Sequence, residues 1–134
     1  MSIPVNARAR AVPNFLVCLH AARSFMEEQN VASAQARFKK LQAEVVKARA
    51  LLSFASTSGR PARFLDAKSG WGQFQAEQAR QIAQTLGQPG LRELVLAQHV
   101  MLYAHSDGEV VLLSIRHERQ LGYGLPNQPP DERR

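Results

Sequence analysis

Between Val31 and Leu52 the apolar residues Val31, Ala34, Phe38, Leu41, Val45, Ala48 and Leu52 recur in steps of three and four. That spacing puts them on one stripe of a long helix. Lys39, Lys40, Glu44, Lys47 and Arg49 fall off the stripe, toward water. The segment before it has a matching pattern. Val12, Phe15, Leu16, Leu19, Ala22 and Met26 repeat at helical spacing from a start near Pro13, where proline fits the first turn of a helix. Glu27, Glu28, Gln29 and Asn30 break that pattern, with Asn30 as the end signal. The two stripes predict an antiparallel helical hairpin with a short loop. The second stripe also has the form of a coiled-coil seam, but it spans only about three heptads.

The C-terminal half changes period. Leu91–Ala97, Val100–Ala104 and Val110–Arg116 are rich in Val, Leu and Ile and read as three strands. Ser106, Asp107 and Gly108 form the hairpin turn between the last two, since Asp-Gly supplies the positive φ such turns need. Val110–Leu113 is apolar on both faces, which predicts a central strand covered by the helices. A further strand is expected at Ile3–Arg8, at a sheet edge because of Pro4. Ser56–Pro61 reads as a loop and Lys68–Gly72 as a flexible turn. Gln73–Leu86 reads as a weak helix with Ala79, Ile82, Ala83 and Leu86 on one side, ended by Gly87–Gly90. The order is strand, two helices, then a three-strand meander: an α+β chain in which a two-helix hairpin packs on a small antiparallel sheet. One domain is expected over residues 1–121, with a disordered tail at 122–134.

Hydrophobic residues make up 45% of the 134 residues, enough for a single compact core. The formal net charge is +6, with arginine outnumbering lysine. That excess points toward a polyanionic or acidic partner without choosing among nucleic acid, a ribosome and an acidic protein. Cys18 is the single cysteine, lies in an apolar run, and is expected as a small core residue. The first residues carry prolines and polar groups rather than an apolar leader, and no run reaches the roughly 18 apolar residues of a membrane span. A cytoplasmic protein is therefore expected, with no membrane association.

The ordered set of strand motifs carries a resemblance. Leu91-Arg-Glu-Leu-Val-Leu96, then Val100-Met-Leu-Tyr-Ala104, then Glu109-Val-Val-Leu-Leu-Ser-Ile-Arg-His-Glu-Arg119 resembles the RelE/ParE toxins of type II toxin–antitoxin systems. Arg92, Tyr103, His117 and Arg119 fall where that family places an Arg-Glu-Leu-like strand start, a strand-ending Tyr, a strand-ending His and a following Arg. Gly59-Arg60 resembles its Gly-Arg loop, and Ala7–Phe15 its first-helix entry. The resemblance covers roughly residues 3–120, and the segment at about 66–90 stands out as an insertion. The Ile115–Arg119 run looks closer to ParE-like members.

The resemblance implies two activities. ParE-like members poison DNA gyrase and are not enzymes. RelE-like members cleave messenger RNA on the ribosome without a metal. Cleavage needs an acid and a base beside cations that steady the phosphate. Arg92, Tyr103, Arg116, His117 and Arg119 are the candidates, with Arg60 and Arg63 adding charge. Each also has a structural reading. His117 would cap the core by a hydrogen bond, on the strand face of Leu113 and Ile115. Tyr103 would tie its hydroxyl to a neighbour, and the arginines would pair locally with Glu93, Glu109 or Glu118. Lys68-Ser-Gly-Trp-Gly72 lacks the phosphate-loop pattern, and Trp71 is expected as a packing anchor. His20, His99 and His105 have no zinc spacing, so neither metal nor organic cofactor is expected. The resemblance further implies a cognate acidic antitoxin in the groove between hairpin and sheet, with Arg23, Arg37, Lys40 and Lys47 as contacts. The third possibility is a basic interaction domain without toxicity.

Overall fold

The computed structural model describes residues 7–63, 68–120 and 122–125. The chain is α+β, with three helices and a five-stranded mixed sheet. Strand β1 (Arg8–Ala11) leads into helices α1 (Pro13–Gln29) and α2 (Val31–Phe54). Strand β2 (Arg60–Pro61) and helix α3 (Gly70–Thr85) follow, then strands β3 (Gly90–Val95), β4 (His99–His105) and β5 (Glu109–His117). The order across the sheet is β1-β5-β4-β3-β2.

The hairpin forms as the periodicity requires. Asn30 alone separates the two helices: its backbone N–H closes α1 on Met26, and its side chain accepts from Ser33 N at 3.3 Å to cap α2. Ala34, Phe38, Leu41, Ala48 and Leu52 are buried on α2, and Phe15 and Met26 on α1. Leu16 and Val31, counted on the stripes by spacing, are exposed. The paired stripes lie on one face of the sheet, where Met101, Tyr103, Val110, Leu112 and Ile115 complete the core. Helix α3 covers the other face, over Val100, Leu102, Ala104, Val111 and Leu113. β5 is thus central and covered on both sides.

Several expectations need correction. The first strand is Arg8–Ala11, later than expected; Ala7 precedes it as buried non-strand chain, and residues 3–6 of the expected range lie outside the described residues. It keeps to the sheet edge but pairs parallel to β5, Arg8 opposite Glu109, so the sheet is mixed rather than antiparallel. Residues Arg60–Pro61, read as loop, form an edge strand against Arg92 and Glu93. The Lys68–Gly72 turn is instead the start of α3. Ser69 Oγ accepts from Gly72 N at 3.0 Å, and this cap offsets the poor helix propensity of two glycines. Trp71 is 47% exposed, resting on Phe74 rather than anchoring a core. Cys18 is only half-buried. Of the expected tail, Tyr123 and Leu125 are buried against the α3 face, and 126–134 lie outside the described residues.

One irregularity decides which side chains meet. Leu102 pairs with Ser114 and Tyr103 with Leu112, so β5 carries one extra residue, Leu113, in a bulge. Leu112 and Ile115 therefore both face the hairpin, while Leu113 faces α3. His117 lies on the face of Ile115 but not of Leu113, contrary to strict alternation.

Gly59 sits where the loop after α2 touches the sheet. A Cβ there would come within 2.5 Å of the Glu93 carbonyl oxygen and 2.6 Å of the Tyr103 hydroxyl. The first is backbone, and the second is held by hydrogen bonds to Ser56 and Gly59, so neither can simply swing aside. Gly59→Ala is expected to destabilise the fold by about 1–3 kcal/mol, the usual range for overpacking, read as a lower urea midpoint at unchanged slope.

Candidate functional site

A groove of about 960 Å³ opens between the helical hairpin and one end of the sheet. On α1 it is lined by Ala21, Ala22, Phe25 and Gln29, among others, and on α2 by Arg37, Lys40, Leu41 and Glu44. Both sets have helical three-and-four spacing, so each helix turns a single face to the cleft. The alanines leave room at the wall, and Phe25 is half exposed over it. His99 from β4 and Ile115 and His117 from β5 form the floor, and the turn Glu118–Gln120 closes one end.

The floor pairs two imidazoles. His99 is opposite His117 across the strands, with ring centroids 5.2 Å apart and edge-on at 79°. His117 Nδ1 accepts the backbone N–H of Arg119 at 3.1 Å, and Gln120 Oε1 accepts the His117 N–H at 2.9 Å. Burial lowers the His99 pKa below the ordinary imidazole value. Its neighbour His117 lowers it further, while Glu44 and Glu118 pull the other way. Glu44 is tied in turn to the backbone N–H of Ala97 at 3.1 Å.

The five candidate site residues are divided over three places. Arg92 and Tyr103 face each other on the hairpin side, beneath the loop after α2. The fully buried Tyr103 hydroxyl donates to Ser56 O at 2.7 Å and accepts from Gly59 N at 3.0 Å. Burial holds it above the usual phenol pKa. Arg92 donates to Gly59 O at 2.8 Å and to His105 Nε2 at 3.2 Å. These two residues fasten the Gly-Arg loop, the structural reading of Tyr103. His117 and Arg119 belong to the groove. Arg116 pairs with Val100, on the α3 side of the sheet. There its guanidinium lies 5.1 Å from the Tyr123 ring centroid and 4.0 Å from Glu93, while Nη1 donates to the carbonyls of His117, Glu118 and Gln120. Arg116, His117 and Arg119 all border the groove, but the Arg116 guanidinium is turned to the Tyr123 side.

The four candidate partner contacts also separate. Arg37 and Lys40 line the groove; Arg23 and Lys47 are not among its lining residues. Arg37 is committed to the helical turn, donating to Met26 O at 2.8 Å, Gln29 Oε1 at 3.0 Å and Ser33 Oγ at 3.0 Å. Arg23 lies over the Phe38 ring, 5.5 Å from its centroid. Lys40 and Lys47 are exposed.

Sequence reasoning missed a second cluster, on the α3 face. Glu93, 1% exposed, accepts from Arg60 Nε at 3.2 Å, Arg63 N at 3.0 Å and the Tyr123 hydroxyl at 2.5 Å. Gln75 holds the Tyr123 backbone from both sides, at 2.8 Å each way. Burial first, and then the bond to Glu93, keep the Tyr123 hydroxyl protonated far above the phenol range. The available signals were an acid inside an apolar strand and an isolated aromatic within a Gly-Pro stretch. Neither Glu93 nor Tyr123 lines the groove.

Among the described residues, no group of three His, Cys, Asp or Glu side chains is placed to hold a metal ion. Nor is any helix among them long and apolar enough to cross a membrane. Compared with protein-family models and with curated protein sequences, the chain matches none.

Two measurements test these assignments. Tyr103→Phe removes a hydroxyl with two buried partners and is expected to cost about 1–3 kcal/mol of stability, measured by denaturant melts. His99 and His105 both titrate below the ordinary value, burial being the larger cause in each. The unfolded chain therefore binds more protons below about pH 6.5. Stability is expected to be complete above that pH and to fall on acidification toward the folded-state pKa values. His99→Gln should flatten part of that slope.

Proposed function

We infer that this chain is a toxin of the RelE/ParE kind. It acts as an inhibitor that arrests bacterial growth by poisoning DNA gyrase, and an acidic antitoxin docked in the groove silences it. The reading rests on the strand motifs that resemble the family, and on a helical hairpin packed over three consecutive antiparallel strands. The observation that carries the choice of inhibitor over nuclease is the position of Tyr103. It is fully buried, with its hydroxyl spent on Ser56 and Gly59, so it cannot reach a phosphodiester. Arg116 borders the groove, but its guanidinium donates to the carbonyls of His117, Glu118 and Gln120 and lies over Tyr123, away from the His117 ring. A metal-free RNA cleavage needs those groups around a single phosphate. The groove suits an acidic segment by its cationic lining and its apolar wall, and it takes such a segment as a helix laid along the cleft.

Induced expression in bacteria lacking any antitoxin tests this directly. Wild type and His117→Ala are both expected to arrest growth, with messages intact and gyrase supercoiling inhibited by the purified protein. Cut messages together with loss of arrest in His117→Ala would replace the inhibitor by the messenger-RNA endonuclease. Unimpaired growth with either chain would leave a non-toxic interaction domain.

A further inference from the structure

The floor of the groove holds an imidazole that faces the cleft. His99 is 6% exposed, lines the cleft, and makes no ring hydrogen bond among the described residues; its neighbour is the edge-on ring of His117. An imidazole on the floor of an open cleft can exchange water for the hydrogen bond of an entering ligand. Two further cationic side chains on the same cleft, Lys40 and Arg119, also lack an ion pair or side-chain hydrogen bond among the described residues. The acids facing His99 are Glu44 on α2 and Glu118 in the closing turn, and Glu44 already accepts from Ala97 N. From β5 it faces His117, and α1 presents no charged residue to the cleft. Beside this floor stand Phe25, Leu41 and Ile115.

We propose that His99 is the recognition point for a carboxylate carried by an acidic, amphipathic peptide segment of the partner, and that docking takes up a proton there. This rests on the reading of the groove as the partner's site and adds what the site selects. The carboxylate meets His99 with Lys40 and Arg119 at the rim, while the segment's apolar side chains lie against Phe25 and Leu41. In the free protein, burial and His117 keep the His99 ring neutral. A carboxylate against the ring stabilises the imidazolium instead. The bound state therefore has the higher pKa, and association tightens as pH falls through the interval between the two values. On the neighbouring ring, His117 Nδ1 already accepts the Arg119 N–H, which leaves His99 as the imidazole without a hydrogen-bond partner among the described residues.

The test uses the full chain and a capped helical peptide of Leu and Glu, with a twin in which every Glu is Gln. Binding is followed by the His99 and His117 ring resonances between pH 8 and pH 6. The acidic peptide is expected to shift the His99 signals saturably and the twin is not. Affinity should rise by up to about tenfold per pH unit, the limit for one proton. His99→Gln should remove that pH slope, whereas Lys40→Gln should weaken binding at every pH and keep the slope. Equal response to the twin, no shift at His99, or a slope that survives His99→Gln would overturn the proposal. Should His99→Gln fail to fold, the comparison of the two peptides on wild type decides. Growth arrest without any His99 response would sink this proposal and spare the toxin reading; a His99 response without arrest would do the reverse.

Discussion

Glu93 is a carboxylate at the middle of a strand, with almost none of its surface in water. A charge withdrawn in this way is tolerated only where oriented donors replace its hydration. Here the donors come from sequence-distant segments: Arg60 and the Arg63 N–H from the edge beside β2, and the Tyr123 hydroxyl from beyond β5, with Arg116 nearby on β5. Meeting the needs of one side chain thus fixes the edge of the sheet and folds residues 122–125 back across it. Gln75 extends the same arrangement to α3 by treating the Tyr123 backbone as a neighbouring strand would. A buried carboxylate is weak as a source of net stability but strong as a selector of one arrangement, since any other leaves it unpaired.

The two faces of the sheet are therefore unlike. The α3 face is sealed around Glu93 and an alanine-rich helix contact formed by Ala76, Ala79 and Ala83. The hairpin face is closed by Tyr103, Phe15 and Leu52 at its middle and opens at the end where β4 begins and β5 finishes. Ala21 and Ala22 on α1 line that opening and put little side-chain volume into it. The Arg92, Tyr103 and Gly59 set is a fastening of the loop after α2, distinct from that cleft.

Much of the fold was legible because it is written in local periods. The α2 stripe, the Asn30 boundary and the three C-terminal strands depend on residues near one another in the chain, and their bounds fall close to those observed. The parallel pairing of β1 with β5 joins segments about a hundred residues apart, which no local pattern encodes. The start of α3 at Gly70 contradicts residue propensity and holds through the Ser69 cap and burial of its alanines. For the candidate site, the groove between hairpin and sheet came from the family resemblance rather than from any local pattern. The fate of each arginine did not, because it depends on register. His99 went unmarked for the same reason: its significance comes from its strand partner and from what it fails to bond.

The bulge at Leu113 also governs how this strand can change by descent. Strand parity is a binary variable, and a bulge is a point where it is reset. Upstream of Leu113, β5 is read in one phase; downstream, in the other. Loss of a single codon there would leave composition and hydropathy nearly unchanged, yet it would exchange the sides of everything after it, sending Arg116 toward the hairpin and His117 toward α3. Relatives of this chain aligned without regard to that one position would show the right letters attached to the wrong surface.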